Sequence, residues 1–257
     1  MYFSLGYWPQ IREPRTFNEK IAHRKLYTNN SLFTTVEDKY QVRKYVEEKV
    51  GDKILPQLFH VTTEPESIPF EELPDGYVIK PTHMSGPIIF SDDFEKNDRS
   101  SVIDDCRSWL DMTYGETKVE YWYEDITPQI LIEERLQADN GKIPLDFKFF
   151  VFHGEVEFIE VHYDRFTHHK RRIYDKNWNP QNFEFQNPLG PTMSAPNNLE
   201  QMIELSETLA DDFDFIRVDL YEIDDNRIVF GELTVAPGSG ADKFVPQKYD
   251  FKLGSLW

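Results

Sequence analysis

Two acidic residues near the end of the chain, Asp219 and Glu232, have the type and spacing to bind a divalent cation. Each lies in a stretch of alternating apolar and polar residues that predicts one strand of a hairpin. A two-residue turn at Asp225-Asn226 would place the carboxylates opposite each other, at roughly 5 Å between their Cβ atoms. Such a pair either shares a proton or holds a cation such as Mg²⁺. The alternative is a solvated face on which water or Arg217 screens the charges.

The same register divides this hairpin, residues 215–223 and 228–235, into an apolar face and a polar face. The apolar face is predicted to lie in the core, and the polar face carries the two acids. The predicted apolar pairs are Ile216 with Val235, Val218 with Leu233 and Leu220 with Gly231, and the predicted polar pairs are Arg217 with Thr234, Asp219 with Glu232 and Tyr221 with Phe230.

A second hairpin supplies complementary positive charge. Residues 145–161 alternate around a turn at His153-Gly154, which places Asp146 and Lys148 on one face. The basic segment 168–172 follows in a chain that is otherwise acidic, and it could clamp an anion. The alternative for each of these cations is a solvated strand edge. On the returning strand, the residues predicted to share the face of Lys148 are Ile159, Val161, Tyr163 and Arg165.

The elements that position these residues follow from periodicity and from capping residues. A capping box at 16–19 begins a first helix, and a helical stripe over about 35–50, with Thr35 and Asp38 at its start, predicts a second. Because helices and strands are interspersed and hairpins dominate the second half, the predicted fold class is α+β. Further predicted elements are strands at 76–81, 87–90 and 129–134, a helix at 101–113 and a helix capped by Asn198 with Gln201.

Composition limits the classes of function. The chain has 257 residues and a formal net charge of −18, which argues against nucleic acid as a partner. No apolar run reaches the roughly 18 to 20 residues that a membrane span requires, and no signal peptide is recognisable, so we expect no membrane span and a cytoplasmic location. Cys106 is the only cysteine, which excludes an internal disulfide. Its apolar neighbours predict a buried side chain rather than a nucleophile.

Several short motifs occur in an order that resembles the ATP-grasp superfamily and, more narrowly, the family named for TupA, a protein of teichuronopeptide biosynthesis. Each motif is short, but their order and spacing together are specific. The resemblance extends from about residue 6 to the C-terminus. The motifs are PRTFNEKI at 14–21, DKY at 38–40, LPDGYVIK at 73–80, SG at 85–86, EE at 133–134, DFKFF at 146–150, RVDLY at 217–221 and GELT at 231–234.

The resemblance implies an ATP-grasp fold, in which a nucleotide is held between two antiparallel β-sheet lobes with helices on the outer faces. Three parts of the chain follow from it. Residues 1–53 would be an N-terminal helical segment packed on the lobes, residues 54–130 an N-terminal lobe with the phosphate loop, and residues 131–257 a C-terminal lobe with the metal site.

The resemblance also implies ATP as the cofactor and assigns its contacts. Two lysines would reach the phosphates, a turn with one glycine would cover them with backbone N–H groups, and residues 131–134 would bind adenine and ribose. The ribose carboxylate would be Glu133 or Glu134. Pro87 departs from the pattern, because proline removes a backbone donor from the phosphate loop. The implied cofactor-binding residues are Lys39, Lys80, Ser85, Gly86, Ile132, Glu133, Glu134 and Asp146.

In the C-terminal lobe, the resemblance implies metal and catalytic residues. The two facing acids would hold Mg²⁺, with a threonine where many ATP-grasp enzymes carry a metal-binding asparagine. A lysine and an arginine would stabilise charge on the transferring γ-phosphoryl group. Arg165 and the segment 168–172 would contact an anionic sugar. The implied catalytic residues are Lys148, Arg165 and Arg217, and the implied metal ligands are Asp219, Glu232 and Thr234.

The implied activity is that of a carboxylate–amine ligase, in which a carboxylate attacks the γ-phosphate and an amine then displaces phosphate from the acyl phosphate. The resemblance suggests a uronic acid of a cell-surface polysaccharide or its precursor as the carboxylate, and an amino acid as the amine. The partners would be these small-molecule, saccharide-linked substrates, and the oligomeric state stays open. A kinase acting on a sugar hydroxyl and a nucleotide-binding scaffold of polysaccharide assembly are the alternatives.

Overall fold

The structure is a computed structural model that describes residues 5–93, 98–137, 144–163, 168–223 and 227–257, without the side chains of Asp93 and Thr117. Its helices are α1 (Phe17–Tyr27), α2 (Ser31–Glu37), α3 (Gln41–Val50), α4 (Arg99–Leu110), α5 (Gly115–Lys118), α6 (Leu199–Ala210) and α7 (Lys248–Leu256). Its strands are β1 (Leu58–Thr62), β2 (Tyr77–Pro81), β3 (Ile89–Phe90), β4 (Ile130–Glu134), β5 (Asp146–Phe152), β6 (Glu155–Tyr163), β7 (Lys170–Asp175), β8 (Pro180–Gln181), β9 (Glu184–Phe185), β10 (Phe215–Ile223), β11 (Arg227–Thr234) and β12 (Phe244–Val245).

These strands form three antiparallel sheets. A four-stranded sheet has the order β1-β4-β2-β3, a six-stranded sheet has the order β11-β10-β5-β6-β7-β8, and β12 pairs with β9. Helices are interspersed with the strands along the chain. The predicted α+β class is therefore confirmed.

The chain divides into two compact units. Unit 1 contains Met1–Asn29 and Gly141–Trp257, with the six-stranded sheet, and unit 2 contains Asn30–Asn140, with the four-stranded sheet. These limits differ from the three parts that the sequence predicts. Strand β4 pairs with β1 and β2 and so belongs to unit 2, whereas α1 contacts α7 and belongs with the C-terminal half of the chain.

Helix α1 is fixed to the six-stranded sheet through one aromatic and one charged side chain. The predicted capping box is present, with Thr16 and Glu19 exchanging side-chain and backbone hydrogen bonds. Phe17 is fully buried, and its ring centroid lies 5.0 Å from that of Phe215. Arg24 donates to the carbonyls of Phe215 and Val235, at 2.9 Å each. A buried arginine thus satisfies backbone acceptors at one end of the sheet.

Two predictions about helix ends are wrong. The stripe at 35–50 is not one helix but two, α2 and α3, because the Asp38 carboxylate accepts the backbone N–H groups of Tyr40 and Gln41 and begins a new helix there. Asn198 stands at the N-cap of α6, but its side chain makes no capping bond. It donates instead to Glu222 on the neighbouring strand β10, at 2.9 Å.

The β5–β6 hairpin turns where the sequence predicts, but its register then slips. His153 and Gly154 have φ angles of 49° and 82°, as a tight two-residue turn requires. A bulge next to Phe150 then adds one residue to β6, so that Lys148 pairs with Glu160 and Asp146 with His162. The prediction that Ile159 and Val161 share the face of Lys148 is therefore wrong. Arg165 lies outside the described residues.

A second bulge changes the β10–β11 hairpin. Arg217 pairs with Thr234, Val218 with Leu233 and Asp219 with Glu232, as predicted, but Leu220 pairs with Phe230 and Tyr221 with Val229. The predicted pairs of Leu220 with Gly231 and of Tyr221 with Phe230 are wrong, because Gly231 is the extra residue of the bulge. The predicted turn residues Asp225 and Asn226 lie outside the described residues. The predicted apolar face is buried, namely Ile216, Val218, Leu220, Leu233 and Val235.

Two further sequence expectations concern individual features. Cys106 on α4 is fully buried, as predicted, and burial raises the pKa of its thiol to about 12. Among the helices that the structure describes, none is long and apolar enough to cross a membrane.

Gly231→Ala should destabilise the protein by about 1–3 kcal/mol, the usual cost of overpacking. A Cβ atom at this position would lie 2.9 Å from Tyr221 Cε2 and 3.1 Å from the Asp219 carbonyl oxygen. Urea unfolding measures the change. The double variant with Tyr221→Ala removes the nearer contact and should recover part of the loss relative to Tyr221→Ala alone. A single variant as stable as the wild type would contradict the close approach.

Candidate active site

A row of four charged residues crosses four neighbouring strands of the six-stranded sheet. Asp219 on β10 pairs with Glu232 on β11 and with Lys148 on β5, and Lys148 pairs with Glu160 on β6. Cross-strand partners share a face, and neighbouring strands lie about 4.8 Å apart. We call these four residues the charged row. Asp219, Lys148 and Glu160 are buried, whereas the Glu232 side chain is 44% exposed.

Two cations hold the buried carboxylate of Asp219. Lys148 Nζ contacts Asp219 Oδ2 and lies 2.8 Å from Asp146 Oδ2. Arg217 Nε lies 2.6 Å from Asp219 Oδ1, and its Nη2 lies 2.8 Å from Oδ2. Burial raises the pKa of Asp219, and the charges of Arg217 and Lys148 oppose this shift. Asp219 and Lys148 of the charged row thus form a compact cluster with the neighbouring Asp146 and Arg217, with two acidic and two basic side chains.

Arg217 also bridges the two acids that face each other across β10 and β11. Its Nη2 lies 2.6 Å from Glu232 Oε1 and 2.8 Å from Thr234 Oγ1. Burial alone would lower the pKa of the guanidinium, but Asp219 and Glu232 outweigh burial and raise it. In this structure an arginine relieves the repulsion between the acids, which is the alternative that the sequence left open.

The oxygen atoms here fit a metal that arrives with a phosphate ligand. The candidates are the carboxylates of Asp219 and Glu232 and the hydroxyl of Thr234, which donates to Glu232 Oε1 at 3.1 Å. In the described part of the chain, no group of three or more His, Cys, Asp or Glu side chains could hold a metal by itself. Mg²⁺ is commonly held by one or two carboxylates together with substrate phosphates and water, and this donor set matches that requirement.

Glu160 of the charged row and three residues beside it, His162, His169 and Arg171, were not selected individually from the sequence. His162 Nε2 lies 3.2 Å from Glu160 Oε2, and His162 Nδ1 lies 3.1 Å from His169 Nε2. Arg171 Nη1 lies 2.9 Å from Glu160 Oε1. Burial alone would raise the pKa of Glu160, but Arg171 and His162 outweigh burial and hold it at about 2. The sequence feature that could have identified Glu160 and His162 is their spacing of two residues in an otherwise apolar strand, which places both on one face.

In unit 2, the predicted phosphate and ribose residues are joined by ion pairs. Lys80 Nζ lies 2.5 Å from Glu133 Oε1, and Arg43 Nη1 lies 3.5 Å from Glu133 Oε2. Lys39 donates to the Met84 carbonyl at 2.6 Å and so fastens the turn that follows β2. The structure therefore brings Lys80 and Glu133 together.

The other predicted nucleotide residues of unit 2 lie at the turn and along β4. Ser85 and Gly86 are exposed, and Gly86 has a φ angle of 117°, which favours glycine. Ile132 is fully buried on an inner strand that is hydrogen-bonded to β1 and β2. Glu134 ends that strand, and its carboxylate accepts the backbone N–H of Gln57 at 3.1 Å.

The predicted residues thus gather in two places. In unit 1, hydrogen bonds and ion pairs connect Asp146, Lys148, Arg217, Asp219, Glu232 and Thr234 into one network. In unit 2, Lys80 and Glu133 form a pair. Arg165, the remaining predicted catalytic residue, lies outside the described residues.

Glu160→Gln should remove stability that depends on pH. The pKa of Glu160 falls from 4.5 to about 2 on folding, so its contribution is present above pH 4.5 and is lost as the pH falls towards 2. The shift corresponds to about 3 kcal/mol. Urea unfolding should show the variant about that much less stable at neutral pH, with the gap closing in acid. Glu157→Gln, on the same strand, is the matched control. A gap that is constant with pH would contradict the assignment.

Comparisons with known proteins identify the fold. The model of the TupA-like ATPgrasp family matches residues 19–257. A search of curated protein sequences gave no match. The D-alanine–D-alanine ligase of Bacillus anthracis is 15% identical, with a TM-score of 0.51, and the match covers 81% of this chain and 60% of that one. The structure of the same enzyme complexed with ATP is also 15% identical, with a TM-score of 0.51, and the match covers 80% of this chain and 59% of that one.

The L-amino acid ligase of Bacillus licheniformis is 10% identical, with a TM-score of 0.53, and the match covers 87% of this chain and 49% of that one. This chain therefore matches less than two thirds of the length of each of these ligases. At such identities the structural similarity establishes the fold, and the family match establishes the narrower relationship. The chain belongs to the TupA-like ATP-grasp family.

Proposed function

We propose that the protein is an ATP-dependent, ADP-forming carboxylate–amine ligase. The observation that supports this most strongly is the charged row, which places acids and cations side by side on one sheet face of an ATP-grasp protein. Phosphoryl transfer asks the protein mainly for positioning and for charge stabilisation. A nucleophilic cysteine is not needed, which agrees with the burial and raised thiol pKa of Cys106.

In this proposal Asp219, Glu232 and Thr234 hold Mg²⁺. Mg²⁺ held by these residues would supply positive charge to the phosphate groups of the nucleotide. In the protein alone, Arg217 donates to both carboxylates and reduces the repulsion between them. Bound Mg²⁺ would take over carboxylate oxygens that the guanidinium contacts in the protein alone.

Lys148 and Arg217 would stabilise negative charge on the transferring γ-phosphoryl group. Both are held in place by carboxylates, Lys148 by Asp146 and Asp219, and Arg217 by Asp219 and Glu232. Fixed donors in a site from which water is excluded act more strongly than mobile ones, because they need no reorganisation during the reaction. Asp146 would also contact the cofactor.

We also propose nucleotide-binding roles for residues of unit 2. Lys39 and Lys80 would bind the phosphates through their ammonium groups, and the Ser85-Gly86 turn would offer backbone N–H groups. In the protein alone, the Lys80 ammonium is paired with the Glu133 carboxylate. Adenine and ribose would contact the strand end that contains Ile132, Glu133 and Glu134.

For the substrates, we propose a carboxylate on a uronic acid of a cell-surface polysaccharide or its precursor, and an amino acid as the amine. The saccharide is suggested by the resemblance to the family named for TupA, and the similarity to structures named as amino acid ligases supports the amine. The basic segment 168–172 and Arg165 would contact the anionic sugar. The reaction would take place in the cytoplasm, where ATP is available.

Incubation with Mg-ATP, glucuronic and galacturonic acids and a mixture of amino acids should yield ADP and a condensed product detected by mass spectrometry. Glu232→Gln should slow product formation by about 10²–10³-fold, as loss of one charge-stabilising group does, while circular dichroism shows an unchanged fold. Glu184→Gln, exposed on β9, is the control. An active Glu232→Gln enzyme would refute the metal assignment. If the product is a phosphorylated sugar and added hydroxylamine gives no hydroxamate, the protein is a kinase instead.

Lys80→Met should weaken Mg-ATP binding by about 10–100-fold, because it removes a charged hydrogen bond to phosphate. Isothermal titration calorimetry measures the affinity directly. Lys44→Met is the matched control, since Lys44 is exposed on α3 and pairs only loosely with Glu48, at 3.7 Å. Unchanged affinity in the Lys80 variant would remove this residue from the proposed site.

A further inference from the structure

One buried carboxylate of unit 2 is shared between two cations from different elements. Lys80 Nζ lies 2.5 Å from Glu133 Oε1, and Arg43 Nη1 lies 3.5 Å from Glu133 Oε2. Glu133 is buried, and Arg43 and Lys80 are half-buried. We call these three residues the Glu133 cluster. Arg43 has no part in the proposed function, although it contacts the same carboxylate as a lysine that does.

Strand pairing brings the first cation to the carboxylate. Lys80 on β2 pairs with Leu131 on β4, and Glu133 lies two residues further along β4. Lys80 and Glu133 are therefore diagonal neighbours on one face of the four-stranded sheet, a separation that a long side chain can bridge. Their contact of 2.5 Å is a direct charge-assisted hydrogen bond.

The second cation approaches from helix α3. The Nη2 atom of Arg43 donates to the Pro56 carbonyl at 2.7 Å, while its Nη1 faces Glu133. Burial lowers the pKa of the Arg43 guanidinium, and the charge of Glu133 opposes this shift. Because a backbone carbonyl also binds the guanidinium, contacts other than Lys80 hold it beside Glu133. Two cations and one carboxylate leave the Glu133 cluster with one positive charge in surplus.

A phosphate that binds Lys80 must compete with Glu133. If both anions contacted the ammonium, two like charges would lie close together and repel each other. If Lys80 turned from Glu133 to the phosphate, the carboxylate would lose its closest cation, and a buried carboxylate without a partner is costly. Arg43 already contacts the second carboxylate oxygen, so it offsets part of that cost.

We propose that Glu133 binds Lys80 in the protein alone, that a nucleotide phosphate displaces it, and that Arg43 keeps the displaced carboxylate paired. This inference rests on the proposed ATP-binding function. Arg43 and Glu133 would be positioning residues, because they act through Lys80 and do not touch the phosphate. Of the two carboxylates considered for the ribose, Glu133 would thus act on the phosphate contact instead.

The first test compares Mg-ATP with Mg-tripolyphosphate, which has no adenine and no ribose. In isothermal titration calorimetry, Arg43→Gln should weaken binding of both by about 10-fold, because Lys80 is then the only cation left for a buried carboxylate. Glu133→Gln should bind both at least as tightly as the wild type, because the competing anion is gone. Weaker Mg-ATP binding by Glu133→Gln would overturn the exchange. If the loss were confined to Mg-ATP, it would show a ribose contact.

The second test is the double variant. In the Glu133→Gln background, Arg43→Gln should change the affinity by less than about 2-fold, because no carboxylate remains for Arg43 to pair with. A direct phosphate contact of Arg43 would give the same loss in both backgrounds and would overturn the exchange. So would a structural role, because lost stability does not produce a loss of affinity that Glu133→Gln reverses.

All variants are compared at a temperature at which circular dichroism shows each of them folded. Arg43→Lys keeps the positive charge beside Glu133 and should retain the affinity to within about 3-fold, so the test does not depend on the folding of Arg43→Gln alone. An Arg43→Lys protein as weak as Arg43→Gln, or an Arg43→Gln protein of unchanged affinity, would contradict the role of the charge.

Arg107 and Glu66 provide the matched control. They form an ion pair in the same unit, with 2.7 Å between Arg107 Nε and Glu66 Oε1, and both side chains are more than half exposed. Arg107→Gln and Glu66→Gln should leave both affinities unchanged. A wild type that does not bind Mg-ATP would overturn the proposed nucleotide site and this exchange with it. Binding by the wild type, with equal losses in both backgrounds, would overturn the exchange alone.

Discussion

The charge balance around Asp219 constrains this sheet face more than any other interaction. Asp219 is nearly fully buried, and an unpaired buried carboxylate costs several kcal/mol. Lys148 and Arg217 offset part of this cost by contacting both carboxylate oxygens. Because each cation also contacts a second acid, Asp146 or Glu232, the three strands β5, β10 and β11 must keep their register. The cations that the fold requires are the ones that the proposed phosphoryl transfer would use.

An aromatic cluster shares the sheet face with the charged row. Phe150 pairs with Arg217 across the strands, so the two side chains lie on one side of the sheet. The rings of Phe17 and Phe215 pack near that of Phe150, at 6.1 and 6.3 Å between centroids. All three rings are buried, beside the middle of the row. In such surroundings ion pairs are stronger and unpaired charges more costly, which links the position of α1 to the electrostatics of the site.

Two β-bulges explain which parts of the site were predictable. The sequence placed Asp219 opposite Glu232 by assuming a two-residue turn, and the pairing is correct although the register nearer the turn is not. Near the turn, the observed pairing is shifted by one residue from the predicted pairing, and the extra residue of the bulge, Gly231, restores the predicted register at Asp219. On β6 the corresponding bulge works against prediction, because it brings Glu160 and His162 to the face of Lys148. Alternation of residue types shows that a strand has two faces, but one inserted residue decides which face meets which neighbour.

The sequence by itself determined the capping box of α1, the turn at His153-Gly154, most strand positions and the α+β class, because these depend on neighbours a few residues apart. The likeness to ATP-grasp proteins also came from local motifs. Only the tertiary structure decided that Arg217 bridges Asp219 and Glu232, and that His162 lies between Glu160 and His169. Those contacts join residues on different strands, so they depend on register and burial, which no local pattern specifies.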